Sequence, residues 1–189
     1  MSHVVSQPSP PFEIAQGSAQ VHMVPAATDN LSWLIEYLPQ RVAVVDGPSL
    51  GPILKYCDRL NLQITHLINT HIHGDHIGVN HGLSRARSER PELFSETIEV
   101  WGAAKTAKEI PHLTHPLEEG DLLSLGALRG AVWLTEGHLN GHLSFLFWSK
   151  ESAAVPITGD QAALFCGDTL FAAGCGRLFD GPPKKMYDS

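Results

Sequence analysis

Cysteine is scarce: Cys57, Cys166 and Cys175 are the only three in 189 residues. Their number and irregular spacing exclude a disulfide framework or a thiolate zinc site, so a reducing compartment is expected. Basic residues are also few, 13 Lys and Arg against 20 Asp and Glu, for a formal charge of -7. Nucleic-acid binding rests on clustered cations, so no nucleic-acid partner is expected. The nearest thing to a basic cluster, Arg85, Arg87 and Arg90, is interleaved with Ser and Glu and reads as a solvated helix face. No apolar run approaches the roughly 18 residues that a membrane span needs, and no membrane association is expected. The first 17 residues carry Pro8, Pro10 and Pro11 but no Lys, Arg or apolar run, unlike a secretory signal or an Arg-rich transit peptide. A cytoplasmic monomer with a flexible segment over residues 1–18 is the expectation. No Ser triad motif, internal repeat or low-complexity tract is visible.

What is present supports one domain, since 43% of the residues are hydrophobic. Residues 19–24, 31–38 and 41–46 read as three strands, the last ending at the turn Asp46-Gly47-Pro48. Leu50, Ile53, Leu54, Cys57 and Leu60 recur at three- and four-residue spacing, which predicts a helix with Ser49 as its N-cap. Residues 64–69 read as a buried strand, 78–90 as a helix stopped by Pro91, 98–101 as a strand and 103–110 as a short helix. Further strands are expected at 122–125, 130–135, 143–148 and 163–166. Strands mixed with helices at this spacing predict an α/β or α+β layered domain with two sheets inside and helices outside.

Eleven histidines are the unusual count, and three of them lie close together in Thr70-His71-Ile72-His73-Gly74-Asp75-His76, directly after the buried strand. In extended chain His71 and His73 point the same way, so two imidazole nitrogens can converge on one cation. Asp75 and His76 on the next turn can serve a second. The alternative, a polar surface turn or an adventitious metal clamp, fits less well with a cluster that ends a buried strand beside Gly74 and Gly78. A hydrolytic ion needs a third protein ligand and an open position for water. Residues 135–142 offer His138 or His142 at another strand end, and Cys166-Gly167-Asp168-Thr169-Leu170 offers Asp168, whose two oxygens can bridge two cations. Two ions about 3.5 to 4 Å apart can share one hydroxide as nucleophile, which removes the need for a Ser or Cys.

These residues resemble a family. Residues 70–76 resemble the T-H-x-H-x-D-H signature of the metallo-β-lactamase superfamily, and Gly137-His138 through Gly141-His142 resembles its G-H-T-x-G-H segment. Residues 167–181, including Cys175-Gly176-Arg177-Leu178-Phe179, resemble the hydroxyacylglutathione hydrolase (glyoxalase II) branch, as do Asp29-Asn30, Ile110-Pro111 and Thr114-His115. The resemblance implies an αββα four-layer sandwich over residues 19–189, with His71, His73, His138 and Asp168 holding one divalent metal and Asp75, His76 and Asp168 the other. It places His142 at a position that is not a ligand, and Arg177 and Phe179 against glutathione. Zinc is the expected ion, with iron or manganese as alternatives. The implied substrate is a small-molecule glutathione thioester, with Asp75 handling a proton. The family takes its last metal ligand from a downstream G-H-E-Y segment and then adds a helical glutathione-binding domain; neither lies within residues 1–189, so a fold incomplete at the C-terminus is expected.

The sequence departs from the family pattern at Leu139 and Asn140 and in the order Asp46-Gly47-Pro48. Residues 85–96 and 149–159 look longer than in the family. A mononuclear iron persulfide dioxygenase and an inactive metal-binding fragment are the competing readings.

Overall fold

The structure, a computed structural model, describes residue 7, residues 9–152 and residues 162–189. The larger of its two sheets contains β1 (Phe12–Ile14), β2 (Ala19–Ala26), β3 (Asn30–Leu38), β4 (Arg41–Val45), β5 (Gln63–Ile68), β6 (Phe94–Ala103) and β7 (His115–Leu117) in that order. Strands β1 to β4 run antiparallel to their neighbours, and β4 to β7 are parallel. The smaller, fully antiparallel sheet has the order β11-β10-β9-β8, from β8 (Leu122–Leu125), β9 (Leu128–Leu134), β10 (Leu143–Ser149) and β11 (Ala162–Phe165). Helices α1 (Leu50–Leu60), α2 (Gly74–His81) and α3 (Leu83–Glu89) connect the parallel strands, and α4 (Pro183–Asp188) lies near the C-terminus.

Two cores follow from the strand pattern. Val21, Ile35, Val45 and Ile68 of the larger sheet face Leu125, Val132, Phe145 and Phe147 of the smaller one, all at most 1% exposed. On the other side of the larger sheet, Leu34, Val44 and Leu67 pack beneath Ile53, Val79 and Leu83 of the helices. Strand β4 is therefore covered on both faces, which is why Val42, Ala43, Val44 and Val45 form an unbroken apolar run rather than an alternating one. The described residues stack as helix, sheet and sheet; α4 has no buried residue and adds no fourth packed layer. Among the described residues, no helix is long and apolar enough to cross a membrane.

Several expectations need correction. Segment 1–18 is not all outside the domain: residues 1–6 and 8 lie outside the described residues, but β1 pairs with β2, and Ile14 and Ala15 are buried between the sheets. Helix α1 spans the expected residues, yet the Ser49 side chain makes no capping bond. The helix expected over residues 78–90 is two helices that meet at Gly82, and the first begins earlier, at Gly74, so Asp75 and His76 are helical. Glycine propagates a helix poorly, and Asp75 in the first turn complements the helix dipole. The short helix near residues 103–110 is a single 3-10 turn, Ala104–Thr106. Of the long segment 149–159, residues 153–159 lie outside the described residues.

What positions the site is the junction of the β4–α1 turn with α2. Gly47 N–H donates to the His76 carbonyl over 2.9 Å, and Val79 N–H donates to the Gly47 carbonyl over 3.0 Å. A Cβ at Gly78 would collide with the backbone carbonyl of Pro48. Two rigid backbones meet there, so relief requires moving α2 off the sheet. Gly78→Ala is therefore expected to lose about 3 kcal/mol of stability despite the better helix propensity of alanine, read as a lower midpoint in urea denaturation; a gain in stability would contradict this packing.

Candidate metal centre

Parallel strands β4 and β5 both end beneath the same patch of surface, one at Asp46 and the other at Asn69-Thr70-His71. Reciprocal amide hydrogen bonds between Asn69 and Asn80, 3.1 and 2.8 Å long, tie the end of β5 to α2. Asp46 is buried and organises the next layer of contacts. Its Oδ1 accepts Thr70 N–H at 2.9 Å, and its Oδ2 accepts the Thr70 hydroxyl at 2.7 Å and His76 Nδ1–H at 2.9 Å.

That arrangement fixes the His71 tautomer. The Thr70 hydroxyl proton is committed to Asp46, so Thr70 Oγ1 can only accept from His71 Nδ1–H, 3.0 Å away. The Nε2 of His71 is left with a bare lone pair. The same holds for His138, whose Nδ1–H donates to the Arg177 carbonyl at 2.6 Å. These two Nε2 atoms lie 3.0 and 2.9 Å from Nδ1 of His73, which has at most one proton to give. In the neutral form of both rings, one of these lone pairs lacks a proton to receive. Asp168 Oδ2 lies 3.4 Å from His138 Nε2, and one donor atom from each of His71, His73, His138 and Asp168 falls within 4.8 Å of the others. Donors around a tetrahedral ion at about 2.0 to 2.1 Å would be roughly 3.3 Å apart, close to what is seen. The chemistry and spacing of this group fit a divalent cation.

Charge states agree with that reading. Burial first, and the surrounding imidazoles second, hold His71 far below the ordinary histidine range, so it stays a neutral donor. Burial also opposes protonation of His76, but the Asp46 and Asp168 carboxylates prevail and raise it to about 10. Nε2 of His76 faces Asp168 Oδ1 at 3.2 Å and Asp75 Oδ2 at 3.6 Å. Asp75 is half exposed and is oriented by Asn30, whose Nδ2 donates to it at 2.9 Å. His76 thus borders Asp168, and Asp75 borders His76, without either joining the four-donor group.

The structure places His138, not His142, in that group. The His142 ring stacks on His71 at 4.8 Å, and its Nε2 accepts Asp168 N–H at 3.1 Å. Burial holds it neutral, with a pKa lowered to about 4. Phe179 stands edge-on to His73 and His138 with ring centroids 5.1 and 5.4 Å away, and the Arg177 guanidinium lies over the Phe179 ring at 5.4 Å. Both are exposed at the rim. Gly176 passes so close beneath them that a Cβ would sit 2.5 Å from His138 Nδ1. Asp46 reads in the sequence only as part of a turn; a carboxylate ending the apolar run Val42–Val45 is the signal that marks it.

Residues 27–189 match the family model described as the metallo-beta-lactamase superfamily. The chain belongs to that superfamily. The metallo-beta-lactamase fold is also visible in solved structures, where low identity limits the likeness to architecture. BLEG-1 B3 metallo-beta-lactamase superimposes with a TM-score of 0.65 at 20% identity, over 88% of this chain and 81% of that one. ETHE1 from Myxococcus xanthus does so with 0.58 at 23% identity, over 95% and 66%. Among curated relatives, the hydroxyacylglutathione hydrolase of Acaryochloris marina is 38% identical over 172 residues, covering 90% of this chain and 61% of the relative. Hydroxyacylglutathione hydrolase 2 of Vibrio vulnificus is 38% identical over 170 residues, covering 90% and 58%. The chain thus spans about three fifths of the length of the curated relatives it matches.

Asp46→Asn keeps the shape of the hub but removes its charge, leaving His76 without its nearest anionic partner. The expected cost is about 3 kcal/mol of unfolding free energy, since His76 loses the nearer of its two carboxylates and the Thr70 hydroxyl loses a charged acceptor. Guanidinium denaturation at pH 7 measures it, and a loss below about 1 kcal/mol would show that Asp46 is not the anchor.

Proposed function

We propose that this chain carries the catalytic centre of a hydroxyacylglutathione hydrolase, which cleaves S-(2-hydroxyacyl)glutathione thioesters such as S-D-lactoylglutathione to a 2-hydroxy acid and glutathione. The observation that carries the proposal is the convergence of ring nitrogens from His71, His73 and His138 with the Asp168 carboxylate, with Arg177 and Phe179 at the rim. The names of the curated relatives support the choice of substrate class.

His71, His73, His138 and Asp168 would hold one divalent cation, and Asp75, His76 and Asp168 would hold part of the shell of a second, with Asp168 shared and His76 releasing its Nε2 proton to solvent as that ion enters. Zinc suits these donors, as do iron and manganese. Bound there, such ions supply a hydroxide nucleophile near neutral pH and polarise a carbonyl oxygen. The chain's own residues do the rest. Arg177 pairs with a glutathione carboxylate, and the exposed Phe179 ring covers the apolar part of the thioester beside His73. Asp75, held by Asn30 and open to solvent, takes the proton released during hydrolysis. In the cell this activity would serve methylglyoxal breakdown, in the cytoplasm, by a monomer.

The test is S-D-lactoylglutathione hydrolysis by the zinc-loaded chain, run beside oxygen uptake with glutathione persulfide. Hydrolysis that falls at least 100-fold in Asp168→Asn, without oxygen uptake, is the expected outcome. Oxygen uptake by the iron-loaded chain would move the assignment to a mononuclear iron dioxygenase, and metal binding with neither activity would leave a metal-binding fragment.

A further inference from the structure

The loop that delivers His138 runs from the end of β9 at Leu134 to the start of β10 at Leu143. Two of its glycines, Gly137 at φ +146° and Gly141 at φ +75°, adopt backbone that L side chains rarely enter. Such a loop has many alternative shapes open to it, so something must select the one that points His138 Nε2 at His73. On one side the selection comes from the strap after Gly176: Phe179 N–H donates to the His138 carbonyl at 3.0 Å, and His138 Nδ1–H donates to Arg177.

On the other side stands Glu136. Its carboxylate is only 12% exposed and closes the loop on itself, Oε1 accepting Gly141 N–H at 2.7 Å. Two ammonium groups from separate parts of the chain converge on the same carboxylate. Lys105, in the 3-10 turn after β6, reaches Oε1 at 2.5 Å, and Lys185 of α4 reaches Oε2 at 3.0 Å. Lys185 Nζ also donates to Asn140 Oδ1 at 2.5 Å, and Asn140 N–H donates to Asp180 Oδ2 at 2.9 Å. A Cβ at Gly137 would meet the Met186 backbone at 2.6 Å, so α4 rests directly on the loop.

We infer that Glu136 is a positioning residue for the metal centre: bridged by Lys105 and Lys185, it locks the 136–141 loop so that His138 is presented to the ion at one fixed height. It touches neither metal nor substrate and acts through the loop backbone. The inference rests on the proposed metal-binding reading and deepens it. It also gives α4 a role, because through Lys185 the segment after the strap is coupled to a metal ligand.

The test is Co(II) titration of the 189-residue chain, reading both the dissociation constant and the visible absorption of the bound ion, with the Tm of the metal-free protein measured in parallel. Variants are Glu136→Gln, Lys185→Met and Lys105→Met, with Asp188→Asn as a control on α4 outside the bridge. The expected result is Co(II) affinity about tenfold weaker in Glu136→Gln with an altered ligand-field spectrum, a loss in the same direction in the two lysine variants, and no change in the control. Affinity and spectrum equal to the parent in Glu136→Gln would overturn the inference, whether or not the Tm falls, because the role would then be structural only. Absence of Co(II) binding by the parent chain would instead overturn the metal-binding reading on which the inference stands.

Discussion

Everything near the site depends on one electrostatic constraint: several imidazole lone pairs are aimed at one point where no protein proton can satisfy them all. Neutral histidines tolerate that best when their other ring nitrogens are firmly committed, as those of His71 and His138 are. Thr70 takes His71 Nδ1–H because its own proton goes to Asp46, and the Arg177 carbonyl takes that of His138. The tautomers are therefore dictated from outside the cluster. Asp46 has the larger part in this, since one buried carboxylate simultaneously sets the end of β5, the Thr70 hydroxyl and the His76 ring.

The fold supplies this constraint economically. Parallel strands end on one side of a sheet, and the turns that follow β4 and β5 bring Asp46 and His71 to neighbouring positions without long loops. The second sheet then contributes His138 from the β9–β10 turn and Asp168 from the residues after β11, so the two sheets meet through the site as well as through their shared apolar core. The rim is less buried: Phe179 and Arg177 lie where a substrate can reach them. A largely buried donor set beneath an accessible aromatic and cationic rim would suit the proposed activity.

Much of this was legible in the chain itself. The apolar run of β4, the periodicity of α1 and the density of ligand types in residues 70–76 each carry their own physical signal. The choice between His138 and His142 was not open to spacing arguments, because both follow a glycine in the same turn; only the resemblance favoured His138, and only the three-dimensional hydrogen bonds show His142 serving the Asp168 amide. Strands β1 and β7, at three residues each, are too short for alternation to show, and β1 is fixed by burial of Ile14 and Ala15 rather than by local pattern. The split of the expected helix falls at Gly82, a weak local helix former that the apolar spacing on either side conceals, and Ser49 precedes α1 without its side chain capping it. Asp46 and Glu136 escaped notice for a shared reason: a residue that orients a ligand carries no motif of its own.

If the converging nitrogens of His71, His73 and His138 form a metal site with Asp168, zinc must sit among them. A crystal structure of the zinc-loaded chain, with anomalous diffraction collected at the zinc edge, tests it most directly. An anomalous peak is expected about 2.0 to 2.1 Å from His71 Nε2, His73 Nδ1 and His138 Nε2, with Asp168 in the same shell. A structure in which these nitrogens stay hydrogen-bonded to one another while zinc binds elsewhere would contradict it.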